Sequence, residues 1–187
     1  MIFVAEVAST VNEVLLMRHL LGKTGDKKAR AYLINHFLDQ FKGTVYRQTM
    51  FAEFELMMGK MAEEGAALTA DVLCEKYLEL NKLYFGPDMI SDPGIALDLA
   101  RIPHFFYDYY VFQYATGFSA AVAIAERILS EGEPAVSDYK RFLSGGSSAD
   151  PISLLKIAGV DMSAPAPVNS ALKLFDELVS ELEGMEL

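Results

Sequence analysis

Apolar residues recur every three or four positions along almost the whole chain, and nowhere does the pattern alternate with the two-residue period of a strand. The expected fold is therefore all-α. Caps and stops divide it. A first helix is expected over residues 2–21, ending at Gly22. Asp26 caps a long helical region running to residue 64, with a bend near Gly43, and Gly65 closes it. Thr69 caps a helix that reaches Phe85 and stops at Gly86-Pro87. Asp92-Pro93 opens a short helix to Arg101, and Pro103 opens an aromatic helix that continues to Leu129, with Gly117 as a break point. Glu133-Pro134 starts another helix, ending before Gly145-Gly146, and Asp150-Pro151 repeats the cap-plus-proline device. A last amphipathic helix over residues 168–182 carries Leu172, Phe175, Leu178 and Leu182. No repeat, low-complexity tract or linker interrupts the series, so residues 1–187 are expected to form a single all-helical domain.

Composition narrows the partners. An apolar fraction of 52% in 187 residues is enough to build a core. A net charge of −10, with Lys and Arg never clustered beyond pairs, argues against nucleic acid or an anionic membrane as partner. Cys74 is alone, so no internal disulfide forms, and a reducing cytoplasm is the simplest setting. In DVLCEKYLEL the helical spacing makes Cys74 a small packing residue rather than a reactive thiol. The start, MIFVAEVAS, lacks the basic stretch of a secretory signal, and the uncharged run 109–125 falls short of a membrane span. His19 and His36 read as ordinary helix-surface residues, and the Met50, Met57, Met58, Met61 stripe as helix packing. SGGSSAD, residues 144–150, has the glycines and hydroxyls of an anion-binding loop but no P-loop lysine, and reads as a connector.

Two segments carry candidate chemistry. Residues 101–119, RIPHFFYDYYVFQYATGFS, place one His and four Tyr in an almost uncharged stretch. Packing explains most aromatic stripes. Buried phenols nevertheless need partners, and a row of them beside an imidazole also fits a wall of donors aimed at a carbonyl or oxyanion. Residues 3–13, FVAEVASTVNE, put Glu6, Ser9, Thr10 and Glu13 on one side of a helix whose other sides carry Val4, Val7, Val11, Val14, Leu15 and Leu16. A helix so apolar is expected to be buried, and a buried carboxylate needs a cation, a metal or a hydrogen-bond network. Arg47 or Arg101 is the ordinary alternative to a metal as partner of Glu6.

Together with LINHFLDQFKGTVYRQTMFAEFE at 33–55, ALTADVL at 67–73 and SGGSSADPISLLKIAGVDM at 144–162, these segments resemble oligoendopeptidase F, a zinc metallopeptidase related to thimet oligopeptidase. The resemblance runs through nearly the whole chain. It implies that Glu6, in FVAE, is the third zinc ligand and that Glu13 supports the site from behind it. It also implies that His104, Tyr107, Tyr110 and Tyr114 bind a short peptide substrate and stabilise the oxyanion, with the division of labour among the phenols left open.

One departure is decisive. The family's chemistry needs HExxH, two His one helical turn apart to hold zinc and a Glu between them as general base. Of His19, His36 and His104, none is followed by Glu and no two are four apart. The motif lies upstream of the Glu ligand in the family. The chain is therefore expected to be the carboxy-terminal part of such a peptidase, holding no zinc tightly and inactive without an HExxH-bearing amino-terminal portion. An apolar first helix without its partner is expected to favour self-association. The competing expectation is a non-catalytic helical peptide-binding or scaffold protein derived from a peptidase, and the DNA upstream of the Met1 codon separates the two.

Overall fold

A computed structural model describes residues 2–185, and helices account for the regular structure among them. They are α1 (Ile2–Ala5), α2 (Val7–Lys23), α3 (Lys27–Phe41), α4 (Arg47–Glu63), α5 (Ala70–Phe85), α6 (Phe112–Glu131), α7 (Glu133–Ser144), α8 (Pro151–Ile157) and α9 (Ala166–Glu183). A π-helical turn, Lys42–Tyr46, joins α3 to α4 at the expected interruption around Gly43. Two 3₁₀ segments, Pro93–Arg101 and Pro103–Phe106, lead from α5 towards α6. The caps work as their residue types predict. The side chains of Asp26, Thr69, Asp92 and Asp150 accept from the backbone N–H of Ala29, Val72, Gly94 and Ser153. No helix among the described residues is long and apolar enough to cross a membrane.

The chain folds as two compact units, one of residues 1–45 with 116–187 and one of residues 46–115. In the first, Val7, Val11 and Val14 of α2 pack with Ile34, Phe37 and Phe41 of α3 and with Phe118 and Ala121 of α6. Phe41 is fully buried and its ring meets Phe118 edge-on at 4.9 Å, Phe37 at 5.4 Å and Phe175 at 5.5 Å. Gly117 is no break, because α6 runs straight through it. Its missing side chain instead admits the α1 backbone: a Cβ there would lie 3.3 Å from the Phe3 carbonyl oxygen and 3.8 Å from Val7.

The first helix departs from expectation. It is divided at Glu6, and only one face is buried. Leu16 and Leu20 are exposed, 58% and 38%, as are Glu6 and Glu13. The apolar positions at 7, 11, 14, 17 and 21 already fill the face that α3 and α6 cover, with Leu15 half-buried at its edge, which leaves Leu16 and Leu20 to solvent.

The second unit is built on aromatic rings. Phe51 and Phe54 of α4 enclose Tyr77 of α5 and Phe105, with centroids 5.3–6.2 Å apart. Asp98, buried at 8% exposure, is its polar centre. Its carboxylate accepts from the Tyr77 hydroxyl at 3.2 Å and from Arg47 at 3.3 Å, and it pairs with Arg101 on its own 3₁₀ turn. Burial, with the Asp98 charge and hydrogen bond behind it, pushes the Tyr77 phenol well up, so it stays a donor. Arg47 and Arg101 thus serve Asp98, not Glu6. This node ties the 93–101 segment to α4 and α5 immediately before His104.

Two outcomes follow. Phe41→Ala should cost about 3–5 kcal/mol, since it removes a fully buried ring with three ring neighbours, and urea unfolding measures it. Asp98→Ala should cost about 2 kcal/mol by stranding the buried Tyr77 hydroxyl, while Asp98→Asn, which keeps an acceptor, should lose less. Both guanidinium groups are partly solvated and find water instead.

Candidate functional site

The residues around His104 divide into anchors and presenters. Ile102 and Val111 are buried, and Phe105 packs edge-on against Phe51 at 5.5 Å and tilted against Phe54 at 5.4 Å. Those three anchors hold the strand of chain down on α4. The residues between them are lifted out: His104 is half-buried, Phe106 and Tyr107 are exposed at 84% and 58%, and Tyr110 is half-buried.

The expected aromatic helix does not exist before Phe112. The 3₁₀ turn ends at Phe106, and Asp108 and Tyr109 both take left-handed backbone conformations, φ 53° and 55°. An Asp tolerates that region; a Tyr there is strained, at roughly 1–3 kcal/mol. The cause is the anchoring. With Phe105 and Val111 both seated in the core, the five residues between them cannot continue as a helix.

This irregular path still brings together all four side chains that the family resemblance grouped. The His104 ring stacks on Tyr110 with centroids 5.5 Å apart and 26° between planes. It meets Tyr107 and Tyr114 edge-on at 5.8 Å and 6.0 Å. Tyr110 in turn meets Tyr107 and Tyr114 at 5.7 Å each. The cluster is one imidazole ringed by three phenols, each able to donate a hydrogen bond. Gln113 ties its base, donating through both its backbone N–H and its side-chain amide to the Tyr110 carbonyl oxygen, at 3.4 Å and 3.2 Å.

Glu6 belongs to the other unit. It sits at the break between α1 and α2, φ −92° and ψ −7°, with its carbonyl oxygen accepting from the Thr10 N–H at 2.9 Å and the Ser9 hydroxyl at 3.0 Å. That break turns its carboxylate into solvent, so it needs no burial partner. Glu13 lies two turns further along the same exposed side. Among the described residues no group of three His, Cys, Asp or Glu is placed to hold a metal ion. Glu6 is one donor where catalytic zinc takes three protein ligands, so the described residues do not make a zinc site on their own.

Glu55 is the residue that sequence reasoning missed. It alternates with Glu53 about Phe54, so by sequence the two acids point to different sides of the helix and suggest no paired-acid site. Glu55 is in fact buried, 6% exposed, and its Oε2 has no hydrogen-bond partner among the described residues. Burial pushes its carboxyl pKa up. The backbone N–H groups of Val111 and Tyr109 oppose that shift, and the nearby Asp108 carboxylate adds to it. A signal was present: Phe51, Phe54, Glu55 and Met58 lie at i, i+3, i+4 and i+7, which is the core face of α4.

The sequence profile described as peptidase family M3 matches residues 1–174. Oligopeptidase PepF of Bacillus subtilis (strain 168) is 55% identical over 184 residues, 98% of this chain and 28% of that protein. The chromosomal oligoendopeptidase F of Lactococcus lactis subsp. cremoris is 46% identical over 98% of this chain and 31% of its own length. Among solved structures, oligoendopeptidase-F from Enterococcus faecium superposes with a TM-score of 0.93 at 48% identity, covering 98% of this chain and 35% of that one. A putative peptidase from Chlamydophila abortus superposes with a TM-score of 0.89 at 37% identity, covering 97% of this chain and 31% of that one. The chain thus spans about a third of the length of the relatives it matches, over a region that is helical throughout, and it belongs to peptidase family M3.

Proposed function

We propose that this chain is the portion of a zinc-dependent oligoendopeptidase that contributes one metal ligand, Glu6, and the donor wall for the peptide, His104, Tyr107, Tyr110 and Tyr114. The observation that carries the reading is the convergence of those four rings within 5.5–6.0 Å, on a strained backbone path between packed anchors. Identity of 46–55% to an oligopeptidase and an oligoendopeptidase supports the substrate class, a short peptide.

The chain's own residues have separate duties. Mutual stacking fixes the direction of each phenol, so no reorientation is needed when negative charge grows on the scissile carbonyl oxygen. Tyr107, the most exposed of the cluster, meets the peptide first, and His104 and Tyr110, half-buried against each other, hold the donor geometry behind it. Glu6 would supply its exposed carboxylate as one zinc ligand, with the remaining ligands and the general base to come from an HExxH-bearing portion, and Glu13 would support it from the same helix side. The lone Cys74, with no disulfide to form within the chain, favours the cytoplasm as its setting.

The isolated chain should not hydrolyse a quenched peptide even with zinc added, and should associate through Leu16 and Leu20, so light scattering should show species above the monomer mass. Chelator-sensitive turnover that vanishes in Glu6→Gln would show that the site is complete without HExxH. Joined to an HExxH-bearing portion, the chain should give zinc-dependent turnover. There Glu6→Gln should lower both bound zinc and rate. His104→Ala or Tyr→Phe at 107, 110 or 114 should leave zinc in place, with loss of the principal oxyanion donor slowing turnover on the order of a hundredfold. Near-full turnover in all four cluster variants would mean that the rings only pack, the behaviour of a peptide-binding scaffold.

A further inference from the structure

The residues that face the strained turn from α4 are Glu55 and Gly59. They stand one helical turn apart and so share a face. A methyl group built on Gly59 would overlap the Tyr109 hydroxyl, with the ring carbon that bears it 3.5 Å away. Gly59 is therefore a notch into which the Tyr109 phenol fits. Glycine in a helix interior costs roughly 1 kcal/mol relative to alanine, so the notch is maintained against helix propensity. At the other end of the same face the Glu55 carboxylate is buried, with the Val111 and Tyr109 N–H groups turned to it and Oε2 left without a partner among the described residues. A buried, half-satisfied carboxylate is also maintained at a cost.

We propose that Glu55, with the notch at Gly59, is the positioning residue of the tyrosine cluster: its buried carboxylate faces the backbone of residues 109–111 and holds the left-handed Asp108–Tyr109 turn that delivers Tyr107 and Tyr110 to His104. Two amides facing one carboxylate select this backbone path over a continued 3₁₀ or α turn, and the phenol in the notch stops Tyr109 from rotating back. Neither residue touches the peptide. Both act through the segment between Phe105 and Val111, which packing clamps at its ends and leaves undetermined in its middle. The bearing of this seat on turnover rests on the peptidase function proposed above; the geometry does not.

The test uses Glu55→Ala, Glu55→Gln, Gly59→Ala and the pair Gly59→Ala/Tyr109→Phe in the full chain. Hydrogen exchange at residues 109–111 reads the seat directly, with α9 as internal control. Glu55→Ala and Gly59→Ala should speed exchange at residues 109–111 by about tenfold or more and leave α9 unchanged, since a local opening is involved and not global unfolding. Glu55→Gln, which keeps an acceptor oxygen, should retain most of the protection. Tyr109→Phe should rescue Gly59→Ala, because only the hydroxyl collides. If Glu55→Ala fails to fold, the Gly59 pair decides alone, as alanine favours the helix and leaves the core untouched. In the enzyme joined to an HExxH-bearing portion, Glu55→Ala should lower kcat about tenfold or more with KM and bound zinc nearly unchanged, as a displaced donor should. Unchanged exchange at residues 109–111 in both Glu55→Ala and Gly59→Ala, or failure of Tyr109→Phe to rescue, overturns the proposal. Faster exchange in Glu55→Ala while His104→Ala and the Tyr→Phe variants keep full turnover supports the seat and overturns the catalytic reading instead.

Discussion

The packing of Phe105 between Phe51 and Phe54 is the constraint on which the aromatic site depends. Fully burying such a ring is worth about 1.5–3 kcal/mol, of which the partly buried Phe105 gains a share, and each aromatic pair adds about 0.5–1.5 kcal/mol. Val111, buried at 1% exposure, contributes a similar amount six residues on. Against this stands the left-handed Tyr109, at roughly 1–3 kcal/mol, beside Asp108, which tolerates the same conformation at less cost. The anchors are strong enough to hold the strain, and the strain is what turns His104, Tyr107 and Tyr110 out of the core together. A regular helix over the same residues would have presented them along its length and not gathered around one imidazole.

Electrostatics in the same unit has two different solutions to a buried acid. Asp98 is satisfied on all sides, by a phenol and two guanidinium groups that reach into solvent, and it behaves as a structural rivet ahead of the site. Glu55 lacks such partners. Its carboxyl pKa is raised, so the stability linked to its protonation is present at acid pH and is lost as pH rises through the folded-state value. Above that value the ionised carboxylate is held against stability. Such a cost is expected where a group serves geometry and not the core.

In the other unit the design is simpler. Val7, Val11 and Val14 bury one helix face, and Gly117 lets the Phe3–Val7 backbone approach α6 closely. The helix breaks at Glu6, which leaves its carboxylate in solvent with its own backbone carbonyl still bonded to Thr10. An exposed carboxylate at a helix break keeps its lone pairs available at no desolvation cost, which suits the role proposed for Glu6.

The sequence by itself determined the helical class, the caps at Asp26, Thr69, Asp92 and Asp150, the interruption at Gly43 and the family, because these rest on local rules of periodicity, side-chain capping and ordered motif matches. The family resemblance also grouped His104, Tyr107, Tyr110 and Tyr114, but the helix expected to carry them is replaced before Phe112 by a non-helical path. The expectation for the first helix failed because apolar count around a helix does not say how much of the circumference neighbours will cover. Only tertiary structure decided that Arg47 and Arg101 serve Asp98, that Glu6 faces solvent, that Glu55 is buried behind the tyrosines and that Asp108 and Tyr109 are left-handed. Each of these is set by which distant residues arrive at the same place, as when Phe51 and Phe54 capture Phe105, and no local pattern of residues encodes that competition between anchoring and backbone strain.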